Sequence, residues 1–265
     1  VGDLKYKIYI PSKGRSNNCK TANVLLKYGY TKFQIVIEPQ DEKDYLKIYP
    51  KENLLVLSKN DQGLGWSRQI TKEISQKEGV EYHWSLDDDL KFFRRTITLE
   101  DGEVKKRNAV CNPIELFEEI EEYVQPFGNI GMVGLIHQAF GWTKTKDLEF
   151  NRQCASAFLI NNNTKAKFRL KLKLDTDYNL QLLFDKWVTI NFNKFLYDNP
   201  AFGTVEGGLT NIYRNEAEEH QKIFIKKWPF FVQEKVMGKQ YATRIKPNNI
   251  WRKFSQRPKL KVDWN

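Results

Sequence analysis

The stretch "EYHWSLDDDLKFF" (residues 81–93) joins a run of strand formers to three consecutive aspartates. Three adjacent like charges repel, so the run needs positive charge close by. What that charge is depends on where the aspartates sit in the fold.

Upstream, "NDQGLGWSRQITKEISQKEG" (60–79) places Trp66, Ile70 and Ile74 four residues apart and ends at Gly79. This spacing predicts a helix over about 66–78. "NLLVLS" (53–58) and "FQIVIEP" (33–39) are short, nearly continuous apolar runs, which suit strands buried on both faces of a parallel sheet. "KYKIYIPSKGR" (5–15) alternates towards Ile8 and Ile10, stops at Pro11 and continues as a polar loop. "TANVLLKYG" (21–29) and "DEKDYLKIY" (41–49) read as short helices. The first 90 residues therefore read β-α-β-α-β-α-β, with connections long enough for parallel crossovers. The aspartates fall at the carboxyl end of the fourth strand, where open α/β sheets bind ligands.

The second half is mixed. Asn112 suits an N-cap, with Pro113 at the first helical position and Glu115 in the first turn, ahead of a stripe of Ile114, Phe117, Ile120 and Val124. "NIGMVGLIH" (129–137) and "QCASAFLIN" (153–161) are strand-like. "AKFRLKLKLDTD" (166–177) alternates strictly, with Phe168, Leu170, Leu172 and Leu174 against Lys167, Arg169, Lys171 and Lys173. That pattern predicts an antiparallel or edge strand with a basic outer face. A helix follows in "TDYNLQLLFDKW" (176–187).

Composition sets the class. The chain has 265 residues, 40% of them hydrophobic, which is enough for a globular core. No apolar run is long enough to cross a membrane, and no secretory leader is expected. Cys19, Cys111 and Cys154 have neither zinc spacing nor a disulfide framework, so a reducing cytoplasm is expected. The net charge of +10 is concentrated: from Gln221 to Asn265 there are 12 Lys or Arg against Glu234 and Asp263, and the first 220 residues balance. A basic extension with Trp228, Phe230, Phe231, Tyr241, Trp251 and Phe254 among its cations suits a nucleic-acid groove. Its prolines suggest an extended strap over the body.

Alternation along a strand would aim Asp87 and Asp89 one way and Asp88 the other. Two carboxylates at a strand end form a hard-oxygen site for Mg²⁺ or Mn²⁺, which completes its shell with phosphate and water. Pro11, Ser12, Lys13, Gly14 and Arg15 end the first strand on the same edge, and Arg68 opens the preceding helix, so both can meet a diphosphate. There is no G-x-x-x-x-G-K-[ST], and "GLGWS" lacks the third glycine of a dinucleotide fingerprint.

Together, "IPSKGR", "GLGWSRQ", "WSLDDD" and "LDTDYNLQLL", in this order, resemble a GT-A-type nucleotide-sugar glycosyltransferase. More narrowly, they are similar to the glycosyltransferases found beside TET/JBP-type DNA hydroxylases in bacteriophages, relatives of the base J glucosyltransferase. The resemblance spans roughly 5–190. It implies a GT-A-like α/β domain: a Rossmann-like, mostly parallel sheet flanked by helices, with a smaller mixed or antiparallel part. The catalytic domain would cover 1–220, with a nucleotide-sugar half at about 5–110 and an acceptor half at about 111–220. The basic extension 221–265 would pack on the same body.

The resemblance also implies roles. Pro11, Ser12, Lys13, Gly14, Arg15, Arg68, Asp87 and Asp88 would bind the donor. Asp89 and Asp87 would hold Mn²⁺ or Mg²⁺, with His220 a candidate third ligand. Asp177 is preferred as general base and Asp175 as the helix-terminal group, although the family pattern at this point is Glu-Asp. The donor would be a nucleoside-diphosphate sugar, a UDP-sugar by preference, and the acceptor 5-hydroxymethylcytosine or 5-hydroxymethyluracil in DNA. His137 is a candidate for the acceptor pocket, and "GTVEGGLTN" (203–211) for a nearby loop. A monomer in the cytoplasm of an infected bacterium is expected, with no membrane partner. Three alternatives compete: a metal-dependent nuclease using Asp89, Glu103 and Lys105; a transferase with a carbohydrate or protein acceptor; and a non-catalytic DNA-binding module.

Overall fold

The computed structural model describes residues 2–200, 212, 215–237, 240–245 and 260–262. The loop expected at 203–211 and the strap segment 246–259 lie outside the described residues.

The first half is the expected crossover series. Strands β1 (Ile8–Pro11), β2 (Phe33–Ile37), β3 (Leu54–Val56) and β4 (Tyr82–Leu86) alternate with helices α1 (Lys20–Lys27), α2 (Glu42–Tyr45) and α3 (Leu64–Lys77). β1 pairs in parallel with both β2 and β4, and β2 with β3, giving the order β3-β2-β1-β4. The chain winds one way from β1 to β3 and then returns to the other side for β4. The β1/β4 boundary is therefore a topological switch point, and the loops leaving these two strands border one crevice.

The second half continues the same sheet. It adds β5 (Lys91–Glu100), β6 (Glu103–Val110), β7 (Ile130–His137), β8 (Leu148–Phe150), β9 (Ala157–Asn161) and β10 (Val188–Asp198). The order continues β4-β9-β7-β10-β5-β6, with β8 also on β10. β7 and β10 are parallel, whereas β9, β5 and β6 run antiparallel to their neighbours. The result is a single mixed α/β domain. Helices α4 (Pro113–Val124), α5 (Gln138–Gly141), α6 (Leu174–Phe184) and α7 (Ala217–Lys227) complete it, with a separate hairpin of β11 (Val232–Met237) and β12 (Gln240–Ile245).

Period-two alternation sorts the core onto two faces. Trp84, Leu159 and Val133 pack with α1 and α4 on one face, where Trp84 lies 4.3 Å from the Phe117 ring. Phe158, Ile160 and Met132 pack with α6 and with Phe224 of α7 on the other. Asn112 caps α4 by accepting from the Ile114 amide at 3.1 Å. The end of the chain returns to the body: the Gly128 amide donates to the Lys261 carbonyl at 2.8 Å. No helix among the described residues is long and apolar enough to cross a membrane.

One expected strand is absent. Residues 167–173 keep their alternation, with Phe168, Leu170 and Leu172 buried and Lys167, Arg169 and Lys171 exposed, but they pair with no strand. The Phe168 amide donates to Gln69 Oε1 and the Lys167 amide to Gln181 Oε1, so side chains of α3 and α6 take the bonds a strand neighbour would. Gly65 permits this close approach, since a Cβ there would sit 2.4 Å from the Leu170 carbonyl oxygen. An extended segment laid over a helix has the same burial period as an edge strand, which is why the sequence pattern does not separate them.

Candidate active site

The β1 and β4 loops meet at the switch point. Gly63, just before α3, has φ 84°, a conformation that glycine adopts at little cost. The turn starts α3 so that Arg68 lies inside it, fully buried. The Arg68 guanidinium packs 4.8 Å from the centre of the Phe158 ring, and its Nη2 donates to Asp87 Oδ1 at 2.5 Å. Its Nη1 donates to Asp175 Oδ1, at the start of α6.

Arg15, from the β1 loop, serves the other two aspartates. Its Nη1 lies 2.7 Å from Asp88 Oδ1 and 3.1 Å from Asp89 Oδ2. Ser12 Oγ donates to Asp88 Oδ2 at 2.5 Å and also contacts the Tyr45 hydroxyl at 2.6 Å. Two arginines thus answer the repulsion that the sequence posed.

The division of the aspartates differs from the expected one. β4 ends at Leu86, so Asp87, Asp88 and Asp89 lie in the turn beyond it, where strand alternation no longer applies. Asp88 and Asp89 share Arg15, and Asp87 turns to Arg68. Asp88 is 5% exposed and ties Ser12 to Arg15. Lys13 pairs instead with Glu38 at 2.8 Å and with Asp61, while the Gly14 amide donates to Asp41 at 3.2 Å. Pro11 closes β1 in register with Val36.

Asp175 and Asp177 have separate surroundings. Asp177 is fully buried, and Arg169 donates to both its oxygens at 3.0 Å. Trp228 Nε1 adds a bond at 2.7 Å and Gln181 Nε2 one at 2.9 Å, so the carboxylate is enclosed by donors. Asp175 keeps 19% of its side chain exposed. Burial, reinforced by Asp87 and opposed by Arg68, pushes its carboxyl up to about 6. Burial, with Asp87 and Asp88, likewise pushes Asp89 up to about 6 against Arg15.

The charge balance bears on a cation. Among the described residues, Asp87, Asp88, Asp89 and Asp175 pair with Arg15 and Arg68, which leaves two negative charges among these six side chains when all four acids are ionised. A divalent ion would neutralise that excess. Asp87 Oδ1 and Asp89 Oδ2 accept from arginines, so a cation would take the remaining oxygen of each together with phosphate and water, a donor type that suits Mn²⁺ or Mg²⁺. No group of three His, Cys, Asp or Glu among the described residues is placed to hold a metal. His220 is not gathered with the aspartates. It lies on α7, with Nε2 3.2 Å from Glu216.

Sequence reasoning missed Tyr45, Tyr197 and Arg169. Tyr45 Oη accepts from the Arg15 amide at 3.2 Å and so fixes the β1 loop. These residues come from distant elements, and no local motif marks them.

The family model described as TET-Associated Glycosyltransferase matches residues 6–208. No curated protein matches the chain significantly. Among solved structures, protein A197 from STIV is similar at 12% identity, covering 75% of this chain and 86% of that one, with a TM-score of 0.42. The inositol-1-phosphate CTP transferase from T. maritima is similar at 11% identity, over 76% and 91% of the two chains, with a TM-score of 0.38. The apo-form glycosyltransferase GlyE from Streptococcus pneumoniae TIGR4 is similar at 15% identity, over 96% and 61%, with a TM-score of 0.35. Likenesses at this level are distant.

Proposed function

The chain belongs to the TET-associated glycosyltransferase family, and from that premise we propose that it moves a sugar from a nucleoside-diphosphate sugar, with UDP as the favoured carrier, to the hydroxymethyl group of a modified base in DNA. One observation carries the reading. A partly exposed carboxylate with a raised pKa, Asp175, shares Arg68 with Asp87 at the switch point.

In this reading the donor diphosphate lies in the crevice between the β1 and β4 loops. Asp88 is a positioning residue that holds Arg15 and Ser12 towards the donor. Asp89 and Asp87 would hold Mn²⁺ or Mg²⁺, which when bound stabilises the negative charge on the departing diphosphate. Arg68 keeps Asp87 and Asp175 at a fixed separation despite their like charge.

Asp175 is the general base in place of Asp177. It has room to accept a proton, whereas Arg169, Trp228 and Gln181 occupy Asp177. Asp175 takes the proton of the acceptor hydroxyl as that oxygen bonds to the anomeric carbon. The bond from that carbon to the diphosphate oxygen breaks, and its electron pair leaves with the nucleoside diphosphate. Attack in line with the leaving group inverts the anomeric centre.

The nuclease alternative loses its second acid. Glu103 lies at the tip of the β5–β6 hairpin, paired with Glu100, ten residues beyond Phe93. At about 3.3 Å per residue that tip is some 20–25 Å along the strands from the hairpin base. The test is incubation with Mn²⁺, a panel of nucleotide sugars, and DNA with or without hydroxymethylated bases. Nucleoside diphosphate release that depends on both sugar and hydroxymethyl groups supports the proposal. Nicking without sugar, or release indifferent to the DNA, contradicts it.

A further inference from the structure

The strand ends of β7 and β10 lie beside the proposed base, and a cavity opens from them. His137 and Tyr197 are paired in register, with ring centres 5.4 Å apart, edge to face. Tyr197 is buried and shares a hydrogen bond with Ser156, whose carbonyl accepts the Asp87 amide at 2.8 Å. Burial raises the Tyr197 phenol pKa, and the nearby Asp87 and Asp175 carboxylates add to the effect. Tyr197 therefore touches His137 and lies near the Asp87–Asp175 pair, so His137 stands one ring away from the proposed base.

His137 also lines a cavity of about 540 Å³, together with Arg107, Asn108, Trp142 and Asp198. That volume is within the range of small-molecule pockets, ~300–1,000 Å³. His137 Nδ1 accepts from the Ala139 amide at 3.2 Å, so the ring proton is on Nε2, 3.6 Å from Asp198. The ring is thus a donor and a wall, not a second base. Trp142, on the rim, is 52% exposed, a large aromatic presented to solvent.

Immediately past Trp142 the chain borders a second cavity of about 500 Å³, whose lining includes Thr143, Lys144, Lys146, Glu149 and Arg152. Lys144 pairs with Glu149, and Arg152 lies 3.8 Å from the same carboxylate. Three cations against one acid leave this wall positive.

We propose that Trp142 divides an acceptor-DNA site in two: an extruded base enters the His137 cavity, and the phosphates flanking it lie along Thr143, Lys146 and Arg152. The inference rests on the DNA acceptor proposed above. A base inside a duplex does not expose its substituents to a carboxylate in a crevice, so transfer requires that it leave the stack. The first cavity offers the partners such a base needs: Trp142 for stacking, and Asn108 and His137 Nε2–H for its polar edge, while Arg107 on its lining is paired with Glu100 at 2.8 Å. The second offers cations at the place where the backbone must turn. Because extrusion costs a few kcal/mol in a paired duplex, mismatched or single-stranded targets are the better acceptors.

Two measurements test this. The first is the KM for hydroxymethylated DNA. Trp142→Ala raises it at least tenfold and Trp142→Phe largely restores it. The double change Lys146→Ala, Arg152→Ala raises it with a shallower salt dependence. The second is fluorescence of 2-aminopurine placed beside the target position of a duplex, which loses a stacking neighbour when the target leaves and so reads extrusion without turnover. It brightens on binding the wild-type chain and not the Trp142→Ala variant. If the wild-type chain glycosylates hydroxymethylated DNA while these variants keep its KM and 2-aminopurine stays dark, the inference fails and the proposed function stands. If the wild-type chain transfers sugar to no DNA, the proposed function fails and takes this inference with it.

Discussion

Asp175 and Asp177 stand two residues apart on one helix, yet their carboxylates bond to different arginines: Arg68 holds Asp175 and Arg169 holds Asp177. Residues i and i+2 of a helix are about 200° apart around its axis, so the pair diverges by geometry. The consequence is a division between chemistry and structure. Asp177→Asn keeps one oxygen, for Trp228 at Oδ1 or Gln181 at Oδ2 but not both, and loses the ion pair with Arg169. It should lower stability by about 1–3 kcal/mol in chemical denaturation, with a smaller effect on turnover than the Asn variant of Asp175. A stable Asp177→Asn protein without activity contradicts this division.

The spacing D-x-D occurs in both motifs, and its reading depends on the backbone that carries it. The first-half crossover order was legible because each strand is an apolar run closed by a turn signal. The division of labour in "WSLDDD" was not legible, because β4 stops one residue before the aspartates. The segment "AKFRLKLKL" shows the same limit: its buried and exposed residues follow the sequence pattern, whereas its partners are side chains of two helices, Gln181 on the next one and Gln69 on α3 far upstream. The arginines were partly legible, since Arg15 and Arg68 stand out at the ends of their elements. Arg169 was read as one of a basic row, and only the fold shows what it holds.

Arg68 is buried between two carboxylates and an aromatic ring. Arg68→Met would remove the cation and leave Asp87 and Asp175 facing each other. A loss of about 3–5 kcal/mol is expected, the usual cost of removing one partner of a buried ion pair. An unchanged denaturation midpoint would refute the pairing.

Gly65 lies against the Leu170 carbonyl. Gly65→Ala places a methyl group where backbone stands, so either α3 or the 166–173 segment must shift. The expected cost is roughly 1–3 kcal/mol. A variant as stable as the wild type argues against this close approach.

His83 gives a pH signature. It is fully buried, its Nδ1 is 2.6 Å from Asn162 Oδ1, and burial pushes its pKa down to about 4. The unfolded chain, with a pKa near 6.5, takes up a proton that the folded chain refuses, so the unfolded state binds more protons between these values. Stability from this group is full above pH ~6.5 and is lost as pH falls towards 4, by on the order of 3 kcal/mol. Comparing pH-dependent denaturation of wild type and His83→Gln isolates the term, and parallel curves would remove it.

Turnover should also depend on pH. As the proposed base, Asp175 would work only when ionised, and burial pushes its pKa up to about 6. The single-turnover rate at saturating donor should level off above pH 7 and fall about tenfold per unit well below 6. A rate flat from pH 7 to pH 5 points to another base.

In the proposed reaction Asp175 takes the proton from a hydroxymethyl group on DNA. The most direct measurement is single-turnover sugar transfer to hydroxymethylated DNA by the wild type and by Asp175→Asn, both saturated with nucleotide sugar and Mn²⁺. Transfer by the wild type is expected, with product detected as glycosylated nucleoside after digestion. Asp175→Asn should lose about 10²–10⁴-fold, the range for removing a general base. Transfer by Asp175→Asn at the wild-type rate would contradict this role of Asp175.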